Sequence, residues 1–243
     1  MLWFDLDDTL WAMTENSNDV LRRLYHENPA IHQAFPEGEE RWMDVYHAVN
    51  AELWRDYAAA EISRDFLRRE RFARPLRMGG LNAEEADRLA AYLDTHYLDL
   101  LGACKGLLPG ARELLERVDA SRLRKPGIIS NGFREVQHRK MASAGISDYF
   151  SVVVLSDDIE VNKPDRRLFD YALEVSGTRA EDSIIVGDNP LTDILGALRA
   201  DWAQAIWYNP KDLPVPPELE PYIGRLRIAH TLEDVEKALG LIY

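Results

Sequence analysis

The chain has 243 residues, 46% hydrophobic and 29% charged, a composition that suits a packed globular protein and excludes disorder as its main state. Its 42 acidic and 29 basic side chains give a formal charge of −13, which excludes a general nucleic-acid surface, because displacing counterions from phosphates requires a basic patch. The single cysteine, Cys104, rules out an internal disulfide and a cysteine-built zinc site, so a reducing compartment is expected.

The amino terminus, Met1, Leu2, Trp3 and Phe4, is too short and lacks the basic start of a signal peptide. No run approaches the ~20 apolar residues of a membrane span, and the expected location is cytoplasmic. The run Leu2 to Leu6 reads as a buried strand ending in DLDDTL, which brings Asp5, Asp7, Asp8 and Thr9 together. Alone, such an acidic pair is a turn or helix cap. An EF-hand loop fails here, since its sixth position is Leu10 instead of glycine and its twelfth is Asn16.

From residue 13 to 103 the texture is helical. Trp42, Tyr46, Val49, Leu53 and Tyr57 recur at intervals of three and four and predict a stripe on a helix beginning near Glu39. Asn82 and Glu85 form a capping-box pattern ahead of Leu89, Leu93, Tyr97 and Leu100, and Met78, Gly79 and Gly80 make a turn. From Leu107 onward, short strand-like runs alternate with helical patterns: Gly127 to Ser130, Ser151 to Leu155, Ser183 to Gly187, and Ala203 to Tyr208. Asn209 to Pro221 holds five prolines and reads as a surface loop, and Thr231 with Asp234 caps a last helix ending near Gly240. The expected architecture is therefore α/β: a Rossmann-like parallel sheet flanked by helices, formed by residues 1–12 and 104–243, with a helical unit of residues 13–103 inserted after the first strand.

Chemistry-bearing residues follow successive strands, where open α/β sheets place their ligands. Besides the first strand, these are Ser130, Asn131 and Gly132, then Lys163 in VNKP, then Asp188 and Asp193 in GDNPLTD. Each alone is an ordinary turn, loop or cap residue, yet together they fall at one sheet edge. Two carboxylates ~5 Å apart repel by roughly 3 kcal/mol at an effective dielectric of ~20, so four aspartates in one crevice imply a cation. All-oxygen donors without histidine or cysteine favour a hard ion, with Mg²⁺ the best fit and Mn²⁺ the alternative.

This ordered set resembles the haloacid dehalogenase superfamily over the whole chain: DLDDT as motif one, IISNG as motif two, the VNKP lysine as motif three and GDNPLTD as motif four. The resemblance implies Asp5 as nucleophile and Asp7 as acid/base, with Ser130, Asn131 and Lys163 binding phosphate. Asp188 and Asp193 would hold the metal, joined by the Asp5 side chain and the Asp7 backbone carbonyl. It also implies that residues 13–103 are a cap of that family's first (C1) type. An acid at Asp7 points to a phosphatase, because the dehalogenases of the superfamily lack one there. The stretch YHAVNAELWRDYAAAEIS, continuing to RERF, is similar to bacterial noncanonical pyrimidine nucleotidases. That similarity implies removal of the 5′-phosphate from pyrimidine nucleoside monophosphates.

Asn50, Trp54 and Arg71 are the candidates for facing a base or sugar. Competing with that, Trp42, Tyr46, Tyr57 and Phe72 read as the core of the helical unit, Arg68, Arg69 and Arg71 as a solvated face, and Cys104 as buried filler. Three rivals stand beside the nucleotidase reading: a sugar-phosphate or phosphoglycolate phosphatase, a dehalogenase, and a non-catalytic phosphate-binding or receiver-like regulatory protein. The expected partner is a small phosphorylated metabolite, with no nucleic-acid polymer and no membrane.

Overall fold

The computed structural model describes residues 1–121 and 125–241. These divide into two compact units, one formed by Met1–Met13 with Lys105–Tyr243 and the other by Thr14–Cys104.

The first unit is built on β1 (Leu2–Phe4), an apolar run with every residue buried. The chain leaves it for the second unit, which contains α1 (Met13–Glu27), α2 (Pro29–Ala34), α3 (Glu39–Ala58), α4 (Arg64–Met78) and α5 (Ala83–Ala103). It then returns through α6 (Ala111–Ala120), β2 (Gly127–Ser130), α7 (Arg134–Ser143), β3 (Val152–Leu155), α8 (Arg166–Ser176) and β4 (Ile184–Gly187). A π-helical turn at Pro190–Ile194 leads into α9 (Leu195–Arg199). The chain ends in β5 (Gln204–Tyr208), a 3₁₀ stretch at Pro217–Arg225, β6 (Leu226–Ala229) and α10 (Leu232–Ala238).

The six strands form one parallel sheet in the order β3-β2-β1-β4-β5-β6. Parallel pairing needs crossovers, and it buries both faces of the inner strands, which explains the short apolar runs of β1, β2, β4 and β5. On one face Trp3, Ile129, Val154, Ile185 and Trp207 pack with Leu168 and Phe169 of α8 and Leu195 and Leu198 of α9. Trp202 joins them, its ring 5.8 Å from Trp3 and edge-on to Phe169. Alternation sends Phe4, Ile128, Val186 and Ile206 to the other face, where they are fully buried. Gly127 lets β2 lie against Trp3, since a Cβ there would stand 2.5 Å from the indole.

The prolines after Asn209 are less loop-like than the sequence predicts, because Pro217 to Pro221 enter the 3₁₀ stretch. Strand β6 has no counterpart in the sequence reading: Arg227 and Ile228 both face solvent, so it lacks an apolar run. The capping box of Thr231 and Asp234 forms at α10 as expected.

In the second unit, α3, α4 and α5 enclose an aromatic cluster. Tyr46 lies 5.1 Å from Phe72 and 5.9 Å from both Trp42 and Tyr97, ring to ring. Helix α5 starts at Asn82, whose side chain accepts from the Glu85 N–H at 3.0 Å. Its buried stripe runs Ala86, Ala90, Leu93, Tyr97 and Leu101, so Leu89 and Leu100 are only half-buried. Tyr57 is also half-buried, edge-on to Trp54, and Cys104 is half-buried. Among the described residues no helix is long and apolar enough to cross a membrane.

Candidate active site

Strand β1 is the centre of the sheet, with β2 on one side and β4 on the other. The chain direction diverges there, and the crevice beyond the carboxyl ends of such strands is where open α/β sheets bind ligands. Asp5 directly follows β1, held by its backbone N–H donating to the Val186 carbonyl at 2.9 Å. The chain then coils back on itself. Leu10 and Trp11 donate to the Leu6 carbonyl, and Asp8 takes a left-handed φ of 53°, a conformation aspartate tolerates better than most residues.

Lys163 is the hub of the crevice. Its Nζ lies 2.6 Å from Asp5 Oδ1 and 2.6 Å from Asp193 Oδ1, and it donates to the Ile129 carbonyl at 2.9 Å. All three side chains are buried. Asp193 is seated at the end of the π-helical turn, where its Oδ2 accepts from the Asn189 N–H at 3.0 Å. Gly187 makes room for it, because a Cβ at that position would lie 2.5 Å from the carboxylate. Asp188 is linked to the first strand end by its N–H, which donates to Thr9 Oγ1 at 3.0 Å. Carboxylate oxygens of Asp5, Asp188 and Asp193 lie within 4.8 Å of one another.

Electrostatics follow from this crowding. Burial, reinforced by Asp193 and Asp7, raises the Asp5 carboxyl from 3.8 to about 7 despite the adjacent Lys163. Burial and then Asp193, Asp5 and Asp8 hold Asp188 well above the usual carboxylate range. Lys163 moves up: burial opposes its charge, but Asp193 and Asp5 outweigh it, so it stays an ammonium. Three carboxylates against one ammonium leave two negative charges uncompensated when all are ionised. The donors are all oxygen, so the residues fit a hard divalent cation.

Ser130 ends β2, buried, with its Oγ accepting from the Gly132 N–H at 3.1 Å. Asn131 is a bracket in this arrangement. Its amide donates to the Lys163 carbonyl at 3.1 Å and accepts from the Lys163 N–H at 2.7 Å, so its side chain holds the lysine loop instead of pointing at a ligand.

Two residues absent from the sequence reading complete the crevice. Gln137 and Lys140, three apart and so on one face of α7, are both buried. Lys140 Nζ donates to Asp7 Oδ1 at 2.7 Å, and Gln137 Nε2 donates to Asp7 Oδ2 at 3.1 Å and Ser130 Oγ at 2.7 Å. The only available signal was a helix whose buried positions include a glutamine and a lysine, which in a sequence looks like a solvated face.

The candidates in the helical unit fare differently. Asn50 is half-buried and its Oδ1 has no hydrogen-bond partner; Trp54 is half-buried against Tyr57. Arg71 corrects the sequence reading. It is 3% exposed, its Nε donates to Asp94 at 2.9 Å, and its guanidinium lies 5.0 Å over the Tyr97 ring. Arg68 pairs with the same carboxylate at 2.8 Å. Arg71 therefore neither reads a ligand from an open face nor lies on a solvated one; it neutralises a buried aspartate inside its own unit.

Comparison with known proteins places these features in context. The model of the haloacid dehalogenase-like hydrolases matches residues 2–201. The pyrimidine 5′-nucleotidase YjjG of Escherichia coli K12 is 32% identical over 209 residues, covering 86% of this chain and 85% of that protein. The pyrimidine 5′-nucleotidase PynA of Streptococcus pneumoniae R6 is 29% identical over 213 residues, covering 87% and 84%. Among solved structures, the putative HAD-hydrolase YfnB of Bacillus subtilis, bound to magnesium, superposes with a TM-score of 0.82 at 25% identity, covering 98% of this chain and 97% of that one.

Proposed function

Since the chain belongs to the haloacid dehalogenase-like hydrolase family, we propose that it hydrolyses phosphate monoesters through an aspartyl-phosphate on Asp5, with pyrimidine nucleoside 5′-monophosphates as substrates. The observation that carries the reaction is the Lys163 ammonium 2.6 Å from both Asp5 and Asp193 at the sheet's carboxyl edge.

A carboxylate is a weak nucleophile and is repelled by a phosphate dianion. Lys163 offsets that repulsion, and Ser130 with Lys163 bears on the oxygens that accumulate charge in the transition state. Asp5 bonds to phosphorus as the ester P–O bond breaks, and Asp7 gives its proton to the departing oxygen. Asp7 then takes a proton from the water that attacks phosphorus and frees Asp5. Asp5, Asp188, Asp193 and the Asp7 backbone carbonyl would hold Mg²⁺ or Mn²⁺, which supplies the missing positive charge when bound.

Substrate choice rests on the nucleotidase relatives and on the helical unit, read here as a C1-type cap. The unpartnered amide oxygen of Asn50 suits an N–H on a pyrimidine edge, and the Trp54 indole suits stacking on the ring. Arg71 has no part in this. A kinetic screen with Mg²⁺ tests the reading: deoxyuridine, thymidine and uridine monophosphates should exceed sugar phosphates and phosphoglycolate in kcat/KM. Preference for the sugar esters would reject the nucleotidase assignment, and activity that survives EDTA would reject the metal-dependent one.

A further inference from the structure

We infer that Gln137 and Lys140 form a positioning pair that fixes the Asp7 carboxylate for proton transfer and ties it to Ser130. The inference rests on the proposed acid/base role of Asp7.

Burying these two side chains is costly. A lysine loses up to about 2 kcal/mol of rotamer entropy, and desolvating its ammonium adds to that. Buried ion pairs are often no more stabilising than apolar residues of the same volume, so stability alone does not account for a lysine 3% exposed on the packed face of α7. The surroundings leave it little freedom. Its Nζ lies 4.5 Å over the Trp11 ring and 3.6 Å from the Met13 sulfur, with Asp7 Oδ1 at 2.7 Å.

Gln137 takes the other oxygen. Its Nε2 carries two protons, one directed to Asp7 Oδ2 and one to Ser130 Oγ, while its buried Oε1 has no partner. Turning the amide over would set that oxygen against a carboxylate, so the two acceptors fix its orientation. One glycine makes the arrangement possible: a Cβ at Gly132 would lie 2.3 Å from the Gln137 side chain. Each Asp7 oxygen keeps one lone pair for the proton in transit after accepting its single donor. The Asp7 side chain remains 28% exposed, so it is held without being sealed off.

The role separates from a purely structural one through the leaving group. An alkyl phosphate needs its departing oxygen protonated, whereas p-nitrophenolate leaves unaided, and kcat/KM reports only steps up to release of that group. Purified full-length Lys140→Met, Gln137→Met and Asp7→Asn would be compared with the parent on uridine monophosphate and p-nitrophenyl phosphate, with Mg²⁺ present. Lys140→Met and Gln137→Met should lose about 10- to 100-fold in kcat/KM on the nucleotide and less than about 3-fold on the aryl ester. Asp7→Asn should show the same selectivity, more strongly. If Asp7→Asn is selective and neither methionine variant is, or if both lose equally on the two esters, the positioning role is overturned while the Asp7 role stands. If Asp7→Asn itself is unselective, the acid/base reading fails and this inference falls with it. Gln137→Met removes no charge, so it keeps the test decisive should Lys140→Met fold poorly.

Discussion

Removing divalent ions should make the protein's stability respond to pH through Asp5, with a sign opposite to that of an ordinary acidic residue in an ion pair. The Asp5 carboxyl rises from 3.8 to about 7 because burial outweighs the attraction of Lys163. Between those values the folded protein holds a proton that the unfolded chain has lost, so stability falls as pH rises. The contribution is complete below about pH 3.8 and gone above about 7. A shift of about 3 units at 1.36 kcal/mol each amounts to about 4 kcal/mol. Asp188, raised by burial and by the charges of Asp193, Asp5 and Asp8, adds slope of the same sign, so Asp5→Asn, which cannot titrate, removes the Asp5 slope and weakens that of Asp188. Urea denaturation in EDTA from about pH 4.5 to 8, which covers most of that window, should show the parent losing up to about 3 kcal/mol relative to Asp5→Asn. Mg²⁺ should reverse the loss at the alkaline end, since it binds the ionised folded site. Parallel stability profiles for the two proteins would refute the claim that burial governs this carboxyl.

Other outcomes follow from individual contacts. Asp188→Ala should raise the Mg²⁺ concentration needed for half-maximal activity by at least about tenfold; an unchanged titration would remove Asp188 from the ligand set. Arg71→Met leaves Asp94 buried with Arg68 as its remaining guanidinium, and should cost about 3 kcal/mol in denaturant melts while kcat/KM for nucleotides stays within about twofold. A selective loss of nucleotide affinity in that variant would restore a ligand role. Gly132→Ala should displace Gln137, lowering activity and costing about 1–3 kcal/mol; unaltered activity would show that the glutamine can move without consequence.

The sequence reveals this site unevenly. Asp5, Lys163, Asp188 and Asp193 are legible because each follows an apolar run that must be a strand, and successive parallel strands end on one edge. Gln137 and Lys140 are not. A glutamine and a lysine one turn apart on a polar helix have the pattern of a solvated face, and their burial depends on Asp7, 130 and 133 residues away in the chain. Arg71 misleads for the same reason, since its partner Asp94 lies 23 residues on, in a different helix. Asn131 looks like a ligand-facing turn residue, and only the return of the chain at Lys163 gives its amide two backbone partners. Strand β6 is hidden because an edge strand tolerates Arg227 and needs no continuous apolar run.

The proposed reaction stands on the Asp5 carboxylate as acceptor of the phosphoryl group. Quenching turnover of uridine monophosphate with borohydride reduces an acyl phosphate to the alcohol, so peptide mass mapping should find homoserine at position 5 in the parent and nowhere in Asp5→Asn. Steady turnover with an unmodified Asp5, or with the reduced residue at another carboxylate, would contradict it.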